Sequence, residues 1–158
     1  MKPDHRKAVL RKIPNGLFIV TSRWDGTPSA SVISFLTQTS IDPPLITMAI
    51  RRRSFLCGIV KRSGQLAVHF PEPDQKDLVS DFFKIKEYDA QFINGYPYRI
   101  SDFGNPLLDD IPMILEGEVV EIVPRGDHHL FICEVVNTIM RRDTDVLTMR
   151  HTPWHYGG

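Results

Sequence analysis

Hydrophobic and polar positions alternate with two periods along this chain. Between His5 and Ile13, Val9, Leu10 and Ile13 share one side while Arg6, Lys7, Arg11 and Lys12 lie largely elsewhere. That spacing predicts a short helix laid over the body and stopped by Pro14-Asn15-Gly16. Leu17 to Ser22 is rich in branched and aromatic side chains and predicts a strand. Asp25-Gly26 predicts the hairpin into a second strand from Ser29 to about Thr37. Asp42-Pro43-Pro44 is a hard break, because neither proline can donate to a ladder. Leu45 to Ile50 resumes as an apolar strand, Ser54 is placed to cap a helix running to about Lys61, and Gly64 ends it.

Gln65 to Phe70 predicts a further short strand. Asp74 to Phe83 predicts a helix with Leu78, Val79, Phe82 and Phe83 on its apolar side. Lys84 to Pro112 has little periodicity and scatters Tyr88, Phe92, Tyr96, Tyr98 and Phe103 among Gly, Pro, Asn and Asp. A connection this long is either ordered by aromatic anchors or a mobile lid. Two long strands follow, Met113 to Val123 and His128 to Met140, joined by Pro124-Arg125-Gly126-Asp127, with a short strand expected at Val146 to Met149. Strand pairs joined by tight turns argue against a doubly wound sheet. The expected fold is one mainly β domain, a closed or nearly closed barrel with two or three short peripheral helices. Leu130 to Val136 is apolar on both faces, so one face would fill the barrel and the other needs a helix or a partner subunit.

Composition narrows the function classes. The 158 residues fit one domain, and Lys+Arg equals Asp+Glu at 19 each, so no global field gathers nucleic acid or acidic lipid. No run of 18 apolar residues exists, which argues against a membrane span and a standard secretory signal. Cys57 and Cys133 form no CxxC and are expected as buried thiols in a reducing compartment, the cytoplasm by default.

Three stretches could carry chemistry. Ala30 to Ser40 places small hydroxyl residues at Ser31, Ser34, Thr37, Thr39 and Ser40, so a flat ligand could approach the backbone and find donors. Serines and threonines are also common on half-exposed strands. Arg51-Arg52-Arg53-Ser54 lies between a strand and a helix start, where amides, a hydroxyl and guanidinium groups suit a terminal phosphate; a solvated turn explains the pattern as well. Lys61 and Arg62 extend this positive side, against Asp74, Asp77 and Asp81 on the next helix. Gly126-Asp127-His128-His129 sends its two histidines to opposite sides of an extended backbone, a poor pair for one metal; either could serve a ligand or fill a turn. Metal motifs, a G-x-S-x-G elbow, G-x-G-x-x-G and the P-loop pattern are all missing from the sequence.

Together these segments resemble the flavin reductase-like FMN-binding domain, a split β-barrel family of Greek-key type. The resemblance runs from Leu10-Arg11-Lys12-Ile13-Pro14-Asn15-Gly16-Leu17-Phe18-Ile19-Val20-Thr21-Ser22 through Ser34-Phe35-Leu36-Thr37-Gln38-Thr39-Ser40-Ile41-Asp42-Pro43-Pro44-Leu45 to Gly126-Asp127-His128-His129-Leu130-Phe131-Ile132-Cys133-Glu134-Val135. The ending Trp154-His155-Tyr156-Gly157-Gly158 is similar to that of small bacterial members. The resemblance implies a single FMN-binding domain over residues 1–158, a homodimer, and hydride transfer from NADH or NADPH to the flavin. It implies that Ser31, Val32, Ile33, Ser34, Thr37, Gln38, Thr39 and Ser40 line the ring and ribityl chain. Arg51, Arg53 and Ser54 would hold the phosphate, with His128 near the nicotinamide approach or flavin edge. Phe55 and Leu56 remove a second hydroxyl often seen in the phosphate turn. The electron acceptor would be free flavin or a protein. The alternatives are an FMN electron-transfer domain serving a partner protein, and a split barrel holding haem or another planar ligand without turnover.

Overall fold

The computed structural model describes residues 2–158. Side-chain alternation decides its layering. In β1 (Phe18–Trp24) Phe18 and Val20 point to one side and Ile19 to the other, and all three are buried. β1 joins β2 (Thr27–Ile33) through Asp25 and Gly26, both at positive φ, the backbone that a two-residue hairpin with right-handed twist demands. β3 (Leu36–Ser40) and β4 (Leu45–Arg51) pair across the Asp42-Pro43-Pro44 break. With β5 (Gln65–Phe70), β9 (Met113–Val123) and β10 (His128–Met140), they form one antiparallel sheet in the order β2-β1-β5-β9-β10-β4-β3.

The sheet curls until β2 touches β4, yet no ladder joins its two edges, β2 and β3. The barrel is therefore split, with an open seam where β2 gives way to β3. The expected strand from Ser29 to Thr37 is corrected to two strands, because the chain leaves the ladder at Ser34-Phe35 to change sides of that seam. Phe18, Val20, Met48, Ile50, Leu66, Val68, Phe131 and Cys133 fill the barrel. α2 (Phe55–Ser63) adds Leu56, Cys57 and Val60 to the same core. Ser54 caps this helix by accepting from Cys57 N at 3.2 Å, and Gly64 closes it in the left-handed conformation.

The outer faces of β1, β5 and β9 are covered from within the chain. α3 (Lys76–Asp81) and a three-stranded sheet, β6 (Phe92–Ile93), β7 (Tyr96–Ile100) and β8 (Pro106–Leu108), bury Ile19, Ala67 and Ile114 beneath Leu78, Val79, Phe82, Ile93 and Leu108. Lys84 to Pro112 is thus ordered by aromatic anchors: Tyr96 donates to Asp81 Oδ2 and Tyr98 to the Asp89 carbonyl, each at 2.8 Å. Both cysteines are free and buried.

Two expectations fail at the ends. The first helix, α1 (Pro3–Leu10), buries nothing: Val9, Leu10 and Ile13 stay exposed, and its neighbour is the C-terminal tail rather than the core. Val146 to Met149 is not a strand; Thr148 makes one bridge to Gly16 before a 3₁₀ turn at Met149–His151, and Leu147 is buried. Among the described residues, no helix is long and apolar enough to cross a membrane.

Candidate functional site

The seam opens into a cleft of about 340 Å³. Four separate parts of the chain meet there: Ser31 to Phe35 from β2 and its exit, Ala49 to Arg51 with Ser54, His128 at the start of β10, and Met149 with Trp154 to Tyr156 from the tail. Phe83 closes one side, its ring edge-on to Trp154 with centroids 4.8 Å apart. The placement follows from the ladders. His128 pairs directly with Arg51 across β10 and β4, so one register fixes both at the rim.

Ser34 is the most informative member. It is buried, it lines the cleft, and its Oγ has no hydrogen-bond partner. An unpaired buried hydroxyl costs about 1–3 kcal/mol, so a protein that keeps one at a cleft wall has a use for it. Ser54, by contrast, is fully engaged. Its hydroxyl donates to the Arg51 carbonyl at 2.8 Å and accepts from Cys57 N, which ties it to the helix cap first.

His128 is held from both nitrogens. Nδ1 donates to Asp127 Oδ1 at 2.9 Å, and Nε2 lies 2.6 Å from Tyr156 Oη. The bond from His128 holds the Asp127 carboxyl below the ordinary carboxylate range. Partial burial lifts the Tyr156 phenol; Arg51 opposes that and Asp127 adds to it. Phe35 packs on both partners, its ring centroid 5.7 Å from His128 and 5.5 Å from Tyr156.

Seven of the sequence-predicted residues come together here: Ser31, Val32, Ile33, Ser34, Arg51, Ser54 and His128. Thr37, Gln38 and Thr39 are exposed on the edge strand β3, Ser40 is half-buried at its end, and none of the four lines the cleft. They form an edge strand of the sheet. Arg53 is exposed and does not line the cleft either. Consecutive residues leaving a strand diverge, so only Arg51 of the three arginines reaches the wall. Sequence reasoning missed Phe35, Phe83, Met149, Trp154, His155 and Tyr156. The signal for the tail was three ring-bearing residues in succession before Gly157-Gly158, a pattern with no core periodicity.

Comparison with known proteins places this architecture. The family model described as flavin reductase like domain matches residues 10–156. The chain belongs to that family. A flavin reductase of Pseudomonas putida is 29% identical over 134 residues, 84% of this chain and 77% of that protein. An NADH:FMN oxidoreductase of Rhodococcus qingshengii is 27% identical over 142 residues, 90% of this chain and 72% of its own. Among solved structures, the flavin reductase HpaC complexed with NADP+ superposes with a TM-score of 0.76 at 26% identity, covering 89% of this chain and 88% of that one. The matched span takes in every part of the cleft of this flavin reductase-like domain.

Proposed function

We propose that this chain is an NAD(P)H-dependent flavin reductase that uses FMN, and that the seam cleft is where it works. The observation that carries the reading is Ser34: a buried, unpartnered hydroxyl on the wall of a cleft otherwise built from small strand residues and aromatic rings. The residues fit the group. Ser31 to Ser34 leave the strand backbone approachable, and Phe35, Phe83 and Trp154 offer apolar surface for a planar ring. Arg51 supplies a guanidinium without a carboxylate partner beside the start of α2, whose first turn has no acidic residue, so charge there suits a phosphate. The cleft volume lies at the small end of the roughly 300–1,000 Å³ usual for ligand sites, which fits a ring system whose charged end extends to the rim.

Bound FMN would supply the hydride acceptor, and NADH or NADPH the hydride. The chain's own part is to hold both planar partners in register and keep water from the contact. Its wall residues act by position: His128 is held by Asp127 and Tyr156, and Ser54 by the helix cap. This reading assigns the whole domain, residues 1–158, to one flavin site. The exposed apolar residues Ile41, Val120 and Met140 support a homodimer, in which Thr37 to Ser40 on the edge strand would lie near the partner.

Anaerobic titration of the FMN-loaded protein with NADH and with NADPH tests the function. Loss of the visible flavin absorption with at least one nicotinamide, without added protein, is the expected result. FMN uptake followed by reduction only when a partner protein is added would replace the reductase with an electron-transfer domain.

A further inference from the structure

The C-terminal tail is fastened at both ends of its last five residues. Trp154 packs on Phe83, and Arg11 Nε of the segment after α1 donates to the Gly157 carbonyl at 3.1 Å. Gly157 and Gly158 both adopt positive φ, and a Cβ at Gly157 would stand 3.1 Å from Phe35 Cζ. Only glycine turns the chain this way so close to the Phe35 ring. The result is that Tyr156 is delivered to the cleft wall with its hydroxyl 2.6 Å from His128 Nε2.

That contact has a direction. Asp127 is acceptor-only when ionised, so its bond to His128 places the imidazole proton on Nδ1. A neutral His128 then accepts a hydrogen bond from the Tyr156 hydroxyl at Nε2, and the phenol offers the cleft only oxygen lone pairs. A protonated His128 donates from Nε2 instead, which frees the phenol proton to point into the cleft. We propose that Tyr156 is a further positioning residue of this site: it fixes the His128 ring and determines whether the tail presents the nicotinamide substrate with a hydrogen-bond acceptor or a donor. The inference rests on the reading of the seam cleft as the flavin and nicotinamide site. The charged and titratable groups around His128 are Asp127 from the β9–β10 turn, Arg51 across the ladder from β4, and Tyr156 and His155 from the tail. Asp127 and Arg51 therefore face the ring with opposite charge, one bonded to Nδ1 and the other across the ladder.

The test compares wild type with Tyr156→Phe, which keeps the ring on Phe35 and removes the hydroxyl, and with His128→Asn, which keeps a donor toward Asp127 and removes the contact to Tyr156. NADP+ is the probe, titrated against FMN-loaded protein across the histidine range, because it binds without turnover. Wild type is expected to show one inflection in NADP+ affinity with pH. Tyr156→Phe should bind NADP+ about five- to tenfold more weakly and lose the inflection. His128→Asn should do the same, with no further loss in the double variant. In ligand-free protein, nitrogen-15 spectra of the histidines should report His128 as the Nδ1-protonated tautomer, with the Nε2 signal displaced in Tyr156→Phe. An unchanged tautomer together with an unchanged NADP+ profile in Tyr156→Phe overturns the inference while leaving the flavin reading intact, provided wild type takes up FMN. A wild-type protein that takes up neither FMN nor NADP+ overturns both.

Discussion

Two histidines on this sheet are each bonded at both ring nitrogens, and the partners differ in kind. His69, on β5, is fully buried; Nδ1 donates to the Ile19 carbonyl at 2.9 Å and Nε2 accepts from Leu108 N at 3.0 Å. Both partners are backbone, so the ring is a rivet between β1, β5 and β8. His128, at the seam, is held by two side chains, an almost fully exposed aspartate and a tyrosine from the tail. Backbone partners cannot change without unfolding. Side-chain partners on a turn and a tail can exchange with a ligand at little cost. The same residue type thus marks architecture in one place and a working surface in the other.

The largest effect separating the two lies with His69. Burial pushes its imidazole down to about 4, with the Ile19 carbonyl opposing and Arg141 adding. In the unfolded chain it titrates near 6.5. Between those values the unfolded state binds more protons, so stability falls as the pH drops through this window. About 3 kcal/mol is lost by the bottom of it. Urea unfolding of wild type at pH 7 and pH 4.5 measures that loss. His69→Ala should cost about 3–5 kcal/mol at pH 7, from the cavity and the orphaned Leu108 amide, and should flatten the acid step. An acid step of full size in the variant would assign it to other groups and erase the contrast with His128.

The rivet and the cleft were unequally legible in the sequence. Gln65 to Phe70 and the two long strands, roughly Met113 to Val123 and His128 to Met140, were readable, because each is rich in branched apolar residues and bounded by turn residues. β6 to β8 were not. Strands of two, five and three residues carry no period, and aromatic anchoring through Tyr96 and Tyr98 depends on partners distant in sequence. α1 misled for the opposite reason: its apolar spacing is real, but Val9 and Leu10 stay exposed and the segment meets the C-terminal tail instead of the core. At the site, the strand Ser31 to Ser34, Arg51 and His128 were visible as residue types suited to a flat anionic ligand. The tail was not, since nothing in Trp154-His155-Tyr156 states which strand end it will meet. His69 showed no more in sequence than His128 did; only the second layer over β5 tells them apart.

Within the cleft, the arginine turn offers a smaller effect that sharpens the same distinction. Arg51 lines the wall and pairs across the ladder with His128, whereas Arg53 is exposed and does not line the cleft. If the phosphate of FMN sits at the start of α2, Arg51→Ala should weaken FMN binding by about tenfold or more, the worth of one charge-assisted bond. Arg53→Ala should change it by less than about threefold, as a screened charge at a distance. Flavin fluorescence quenching at fixed ionic strength measures both. Equal losses in the two variants would mean that the turn acts through its summed charge and that the register of β4 and β10 selects nothing.

Ser54 is the one residue that belongs to both regions, and the smallest effect falls there. Its hydroxyl caps α2 through Cys57 N and ties back to the Arg51 carbonyl, so it is bonded as architecture although it lines the cleft. Ser54→Ala should therefore cost about 1 kcal/mol of stability through the lost cap and leave FMN affinity within about threefold. Ser54→Asp divides the roles. Aspartate caps about as well as serine, so stability should hold, but its charge would face the proposed phosphate and FMN affinity should drop. Urea midpoints and FMN titrations of the two variants give opposite orders: Ala below Asp in stability, Asp below Ala in affinity. If Ala were the weaker FMN binder, the hydroxyl would have to leave its cap to serve the ligand, and Ser54 would join His128 among the groups whose partners exchange.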